Sequence, residues 1–470
     1  MGLRSERGPT LLAVLVTIGL VAVDSTVLAT AIPTIVDELG DFSLFPWLFS
    51  IYLLTQAVTV PVYSKLSDMV GRKPIILLGI GIFLVGSVLC GLAWSMPALI
   101  VARAIQGIGA GAVQPTAVTI VGDIYTVAER ARVQGYISAV WGIAAVVGPT
   151  LGGVFAQFGF WRGIFFINVP LGLFAAWLLV RHLRETVPRK QHKVDIAGAM
   201  LLMSTMSLLI LGLLEGGHAW AWMSWQSIGC FGGGLALLIS FVAVERRAAE
   251  PVFPLWVFSR RLLRQTVLIS LGMGAILMGL TSYVPTYLEG SLGVAPIVAG
   301  LALAALTLGW PISAAWAGHL YLRFGFRFTI LIGLAVAIVG AAVLVAFAST
   351  PSVWITGAAC FIIGLGMGFM GASTIVSAQS SVGWSERGVA TGANMFARSV
   401  GSAVGVAIFG AIANAIFGST ATQPGADDII AGSTAVFAGV LVVAIVTAAA
   451  GLGMPKTTVP GSEPVEDLRP

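Results

Sequence analysis

Charge is scarce in this chain. Lys, Arg, Asp and Glu make up 10% of its 470 residues, against roughly a quarter in soluble domains. A compact soluble domain of this size needs a polar skin, which this composition cannot supply. Cysteine is scarcer still. Cys90, Cys230 and Cys360 each lie within an apolar run, with no metal-ligand spacing, and read as small buried apolar residues. There is no G-x-x-x-x-G-K-[ST] loop to cradle phosphates and no H-E-x-x-H. The four histidines, His182, His192, His218 and His319, fall in loops or at span ends. No soluble stretch is long enough for a catalytic domain. A nucleotide-driven machine and a metalloenzyme are therefore not expected, and neither is any cofactor. The 58 glycines follow no period of three, which excludes collagen, and apolar residues are too frequent for disorder.

Apolar residues are what the chain has in excess. Residues of the AVILMFWYC set make up 57% of it, and mean hydropathy is +0.97. This is the composition of an all-α polytopic membrane protein. A span needs ~20 apolar residues to cross ~30 Å of hydrocarbon. Fourteen segments qualify: 10–32, 45–64, 74–95, 97–122, 133–157, 163–182, 196–214, 225–244, 265–288, 296–317, 328–349, 352–377, 389–417 and 430–453. Arg4 and Arg7 precede the first, but it is too long for a signal-peptide core and contains Asp24, so it reads as an uncleaved helix.

The net charge of +5 does not point to nucleic acid, because the basic residues fall in short runs between spans. With the N-terminus in the cytoplasm, 22 of the 25 basic residues face inward and one, Arg162, faces outward; Arg103 and Arg398 lie within spans. This asymmetry predicts a plasma-membrane protein with both termini cytoplasmic. The outer loops carry acids such as Glu38 and tryptophans that read as an interfacial belt.

The loop after the second span reads Ser64-Lys-Leu-Ser-Asp68-Met-Val-Gly71-Arg72-Lys73. The loop after the tenth reads Gly318-His-Leu-Tyr-Leu-Arg323-Phe-Gly325-Phe-Arg327. Both fit G-x-L-x-D-R-x-G-x-R with substitutions. Each follows the second span of a six-helix set if spans 7 and 8 are an insertion. The expected organisation is a six-helix half over 1–195, two extra helices and a linker over 196–264, a second half over 265–453, and a cytoplasmic tail over 454–470. Repeated halves of this kind build many secondary transporters.

Further motifs carry a resemblance. Span 1 holds Asp24-Ser-Thr-Val27-Leu-Ala-Thr-Ala31-Ile-Pro33, with Thr30 where Asn is usual. Span 4 holds Arg103-Ala-Ile-Gln106-Gly107-Ile-Gly109-Ala-Gly111. Span 5 holds Gly135 and then Gly148-Pro149-Thr-Leu-Gly152-Gly153, with Ala144 replacing one glycine. Span 6 opens Trp161-Arg162-Gly-Ile-Phe-Phe-Ile-Asn168-Val-Pro170-Leu-Gly172, with Gly163 departing from the pattern. The first loop motif departs too, at Ser64 and Met69. In these residues the chain resembles the major facilitator superfamily, and within it the fourteen-spanner drug:proton antiporters of Qac and Emr type. The resemblance covers spans 1–14. It implies a major facilitator fold of two six-helix halves plus two linker helices, with Gly135, Gly148, Pro149, Gly152 and Gly153 forming the antiporter motif.

An ionisable side chain in hydrocarbon costs at least ~2.5–3.5 kcal/mol, so each one is a functional candidate. Asp24 lies roughly 13 Å inward from Pro33, and Arg103 roughly 9 Å inward from the start of span 4, at 1.5 Å per residue. The resemblance places both in the cavity of the first half. Asp24 is then the proton-coupling carboxylate and Arg103 its modulator; a static ion pair that fixes packing is the competing reading. Arg398 lies about ten residues into span 13. It faces an anionic substrate group, a broken-helix carbonyl or a structural hydrogen bond. On the cytoplasmic side, Asp68, Gly71, Arg72 and Asp123 form a gate. Arg72 would bridge to Asp123, and Asp68 would meet the N-terminal end of span 13; the alternative is a bare positive-inside loop.

Gln56, Gln106, Gln114, Met278, Tyr283, Phe369, Met370, Asn394 and Arg398 are candidates for an adaptable substrate cavity. Members of the family it resembles that export dications often place extra acids in spans 9–14; this chain has none there, so the resemblance implies hydrophobic neutral or monocationic substrates. The expected function is proton-coupled antiport of such molecules out of the cell by alternating access, by a monomer whose partners are substrate, lipid and protons. Export of one endogenous lipid or secondary metabolite is the first alternative, and a non-transporting membrane enzyme or sensor the second.

Overall fold

A computed structural model describes residues 7–28, 31–40, 44, 47–183, 185, 195–216, 220–248, 251, 253–417 and 425–456. Most of the expected tail, from 457 on, lies outside the described residues. The described chain is helical. The helices run α1 (Gly8–Val27), α2 (Ile32–Leu39), α3 (Trp47–Val70), α4 (Arg72–Gly91), α5 (Met96–Ile124), α6 (Val127–Gln157), α7 (Gly163–Phe166), α8 (Asn168–His182) and α9 (Ile196–Glu215). They continue with α10 (Trp225–Glu245), α11 (Trp256–Ser259), α12 (Arg261–Leu292), α13 (Pro296–Phe324), α14 (Phe326–Ala346), α15 (Val353–Ser380), α16 (Arg387–Phe417) and α17 (Ala426–Leu452).

Among the described residues, 12 helices are long and apolar enough to cross a membrane, with α7 and α8 counted together. Outside those stand α3, which is 24 residues long and carries Gln56, Lys65 and Asp68, and α9, which is apolar over Ala197–Leu213.

One expected span ends early and another is divided at a proline. The segment expected over 10–32 ends as α1 at Val27, three residues beyond Asp24, and α2 starts afresh with Pro33 in its first turn. Proline is tolerated there because no helical N–H is needed. The sixth span is divided into α7 and α8 between Phe166 and Asn168. Pro170 has no N–H to bond the Phe166 carbonyl four residues back, so the ladder is interrupted at this turn.

The two loop motifs share one backbone device. Gly71 enters α4 at φ 110°, ψ 158°, and Gly325 enters α14 at φ 85°, ψ 163°. This region is essentially reserved for glycine. Side chains complete helix starts as well. Glu185 accepts the Arg72 and Lys73 N–H groups at 2.8 and 2.9 Å, and Asp195 accepts the Gly198 N–H at 2.8 Å.

The chain divides into two compact units. The first comprises Met1–Ile124, Ala139–Val257 and Val382–Val400; the second comprises Tyr125–Ser138, Phe258–Ser381 and Gly401–Pro470. In the first unit, Val27, Leu28, Leu48, Leu99, Trp161, Ile164 and Phe165 close over one end of the α1, α3, α5 and α7 contact, all buried. In the second, α12, α14, α15 and α17 share a core built on Ile276, Leu280, Tyr287, Leu334, Ile363, Met367 and Phe437. Glycine sets the α4–α5 spacing. A Cβ on Gly86 would stand 2.5 Å from the Gln106 backbone nitrogen, so its absence lets Gln106 press against α4.

Candidate functional site

Asp24 is 1% exposed, three residues before the end of α1. The Arg103 Nη1 donates to its Oδ2 at 2.8 Å, with both side chains almost fully buried. The other oxygen, Oδ1, accepts from Gln106 Nε2 at 2.7 Å and from Asn168 Nδ2 at 3.0 Å. Three helices, α5, α8 and α1, thus meet at one carboxylate. The Ser87 hydroxyl on α4 accepts from the same two amides, at 2.7 Å from Gln106 and 3.2 Å from Asn168.

Arg103 is equally committed. Its Nη1 also donates to Gln106 Oε1 at 2.7 Å, its Nε donates to the Leu48 carbonyl at 3.1 Å, and its guanidinium stacks 4.1 Å above the Tyr52 ring. The amide orientation of Gln106 follows from these neighbours. Turning it over would set its carbonyl against the Asp24 carboxylate and its NH₂ against Arg103. The result is a buried knot of Asp24, Arg103, Gln106, Asn168 and Ser87.

A second cluster lies where α3 meets the start of α16. Asp68 accepts the Gly388 N–H at 2.9 Å on Oδ1 and the Val389 N–H at 2.8 Å on Oδ2. These are free donors in the first turn of α16, where the helix dipole also favours an anion. Arg72 Nη1 stands 2.6 Å from Asp68 Oδ1, an ion pair without an aligned hydrogen bond. Arg72 Nε donates to Asp123 at 3.0 Å, its Nη2 donates to the Trp384 carbonyl at 2.7 Å, and its guanidinium covers the Trp384 ring at 4.3 Å. Arg387 donates to the other Asp123 oxygen at 3.1 Å. The backbone must come close here. A Cβ on Gly388 would meet the Ser64 carbonyl at 2.5 Å and Asp68 Oδ1 at 2.7 Å.

Beyond the end of α1, Glu38 of α2 accepts from Trp161 Nε1 at 2.6 Å and pairs with Arg162. The Arg162 hydrogen bond, followed by that of Trp161, holds Glu38 below the usual carboxylate range.

The remaining sequence candidates are scattered. Gln106 belongs to the buried knot, at 0% exposure. Met370 is buried in the second unit's core, against Gly333 of α14. Gln56 donates to Gln114 at 3.2 Å between α3 and α5. Met278 and Tyr283 are half-buried on α12, and Phe369 packs on the small cluster of Ala314, Ala317 and Ala372. Asn394 is buried and donates to the Ala390 carbonyl. Arg398 is half-buried on α16. Gly148 packs on Thr26, whose hydroxyl lies 3.0 Å from the Ala144 carbonyl; Gly135 faces Ala315, and Gly153 has open space around it. Gly152 is buried, and the Pro149 side chain lies outside the described residues.

Sequence reasoning missed Asn168, Ser87 and Tyr52 as parts of the knot, and Trp384 and Arg387 at the α3–α16 contact. The sequence shows Asn168 only within the motif that opens span 6, and Arg387 only as one of the inward-facing basic residues.

A family model described as Major Facilitator Superfamily matches residues 14–406. The chain belongs to the Major Facilitator Superfamily. Among curated proteins, this major facilitator chain is 33% identical over 422 residues to the multidrug transporter protein MdtP of Bacillus subtilis, covering 90% of the chain and 78% of that protein. It is 34% identical over 397 residues to multidrug resistance protein 3 of the same organism, covering 84% and 77%. It is 32% identical over 416 residues to the efflux pump FUS6 of Gibberella moniliformis, covering 86% and 73%. Solved structures of similar fold include the human organic anion transporter MFSD10, with a TM-score of 0.66 at 14% identity, covering 95% of this chain and 99% of that one. A bacterial homologue of the iron transporter ferroportin has a TM-score of 0.67 at 12% identity, covering 95% and 100%. Membership of this family makes the chain a multi-pass membrane transporter and not an enzyme.

Proposed function

We propose that this major facilitator protein is a proton-coupled antiporter that exports hydrophobic small molecules, neutral or cationic, across the plasma membrane by alternating access, in the manner of multidrug efflux. The observation that carries the proposal is the buried pair of Asp24 and Arg103. A carboxylate held at 1% exposure inside an apolar helix bundle is costly, and such groups mark proton and ion pathways. The relatives named for multidrug transport support the substrate class.

In this reading α3 and α9 also cross the bilayer, bringing the spans to fourteen and placing both termini in the cytoplasm. At 1.5 Å per residue α3 is roughly 36 Å long, enough to span. Asp68, Gly71, Arg72 and Asp123 are the cytoplasmic gate: the first turn of α16 docks on Asp68 in one access state and leaves it in the other. The span 5 glycines give the helices a surface on which to slide, and the half-buried side chains Gln56 and Gln114 of the first unit contact substrate. The protein acts as a monomer and draws on the proton gradient alone.

The test is dye efflux from energised vesicles with and without an imposed pH gradient. Efflux should follow the gradient and stop when it is collapsed. Efflux indifferent to the gradient would overturn proton coupling.

A further inference from the structure

Among the described residues, three groups hydrogen-bond to Asp24, and all three are donors. Arg103 Nη1 occupies Oδ2, and Gln106 Nε2 and Asn168 Nδ2 together occupy Oδ1, at 2.8, 2.7 and 3.0 Å. An ionised carboxylate is acceptor-only and satisfies all three. A protonated one carries an O–H that needs an acceptor, and it would meet N–H groups instead. At a site this deeply buried, an unmatched donor pair is expensive.

We infer that Gln106 and Asn168 are positioning residues that lock Asp24 in its ionised form, and that proton uptake at Asp24 requires Asn168 to withdraw. Of the two amides, Gln106 is anchored on both sides, with its Oε1 holding Arg103 and its Nε2 holding Ser87 and Asp24. Asn168 is the first residue of α8, immediately after the interrupted turn at Phe166–Ile167, and its hydrogen bonds to Asp24 and Ser87 are the longer ones. The Phe166 carbonyl lacks its i+4 donor because that residue is Pro170, so a small rotation of α8 about this turn removes Asn168 from Asp24 while the helix stays intact. Arg103 is the charged group that faces Asp24, from α5. The other neighbouring elements present uncharged groups: Asn168 from α8, Ser87 and Cys90 from α4, and the Tyr52 ring from α3. The inference deepens the coupling role of Asp24, giving that role a gate.

The test reads the carboxyl group itself. Infrared difference spectra of the purified full-length protein, titrated in detergent with Asp24→Asn as the blank, isolate the acid C=O band of Asp24. Asn168→Ala removes one hydrogen bond from the ionised form only, so the band should appear about one to two pH units higher than in the wild type. Asn168→Gln, which keeps an amide donor, should return most of the way. If Asn168→Ala does not fold, Asn168→Ser, which is too short to reach Asp24, takes its place with the same expectation. A band at unchanged pH in a folded variant overturns the lock, as does an equal shift in Asn168→Gln. pH-driven efflux measured on the same variants separates the two ideas. A shifted band with an unshifted efflux profile supports the lock and refutes coupling through Asp24. An unshifted band with Asp24→Asn inactive in efflux refutes the lock and leaves the coupling role standing.

Discussion

Replacing Asp68 by Asn tests the contact at the start of α16 without changing its size. The carboxylate gives one oxygen to Gly388 N–H and the other to Val389 N–H. An Asn side chain keeps one acceptor and turns an NH₂ toward the other N–H, so one donor is stranded. Losing a hydrogen bond to a charged group costs about 1.5–3 kcal/mol, and losing the anion at a helix N-terminus adds about 0.3–1 kcal/mol. Arg72 is not stranded, because Asp123 still holds its Nε at 3.0 Å. The sum is about 2–4 kcal/mol, which corresponds to roughly 30- to 800-fold in a local opening equilibrium. Hydrogen exchange of peptides covering the first turns of α16 measures that ratio directly, with α14 and α17 as internal controls. Gly388→Ala should act in the same direction with no change of charge, because its Cβ would meet the Ser64 carbonyl. Exchange within three-fold of wild type in both folded variants would refute the reasoning.

Two further perturbations follow from the geometry. Gly109→Ala places a Cβ 2.7 Å from the Gly79 carbonyl and the Phe83 Cα on α4; overpacking of this kind costs about 1–3 kcal/mol and should lower the thermal midpoint without altering which substrates are carried. Glu38 is held below its ordinary value by Arg162 and Trp161, so its contribution is complete above about pH 4.5 and is lost as pH falls through the lowered value. Trp161 emission, isolated by difference against Glu38→Gln, should therefore be constant from pH 8 down to about 4.5 and change only below it; a transition above pH 5 would contradict the pairing.

Much of this was legible in the sequence, for identifiable reasons. Asp24 and Arg103 stand out because charges within apolar runs are so few, and similar depths from the same membrane face are enough to suggest that they meet. Asp68, Gly71 and Arg72 stand out through spacing, and Gly71 and Gly325 share a backbone conformation that a repeat requires. Proline marks where a run that looks continuous divides, yet hydropathy alone reads through Pro170, so α7 and α8 read as one span over 163–182. The partners of Asp24 were harder to find. Gln106 reads equally as a cavity residue or a buried one, and only the facing of α5 toward α1 and α4, permitted by Gly86, decides it. Asn168 and Ser87 are 81 residues apart, and no local pattern links them. Met370 shows the same limit: a Met on a span gives no sign of whether it faces a ligand or, as here, Gly333 on a neighbouring helix.

Asp24→Asn, assayed for counterflow and for pH-driven efflux in the same vesicles, tests the central claim most directly. The substitution keeps the size of the side chain but removes its capacity to take up a proton. It also leaves Arg103 without a counter-ion at 1% exposure, so thermal stability should be recorded alongside, with a loss of about 3–5 kcal/mol expected from a broken buried pair. If Asp24 couples, the folded variant exchanges substrate down its own gradient and accumulates none when a pH gradient is imposed. Full pH-driven accumulation by Asp24→Asn would contradict the account, and would leave a packing role as the only one for the pair.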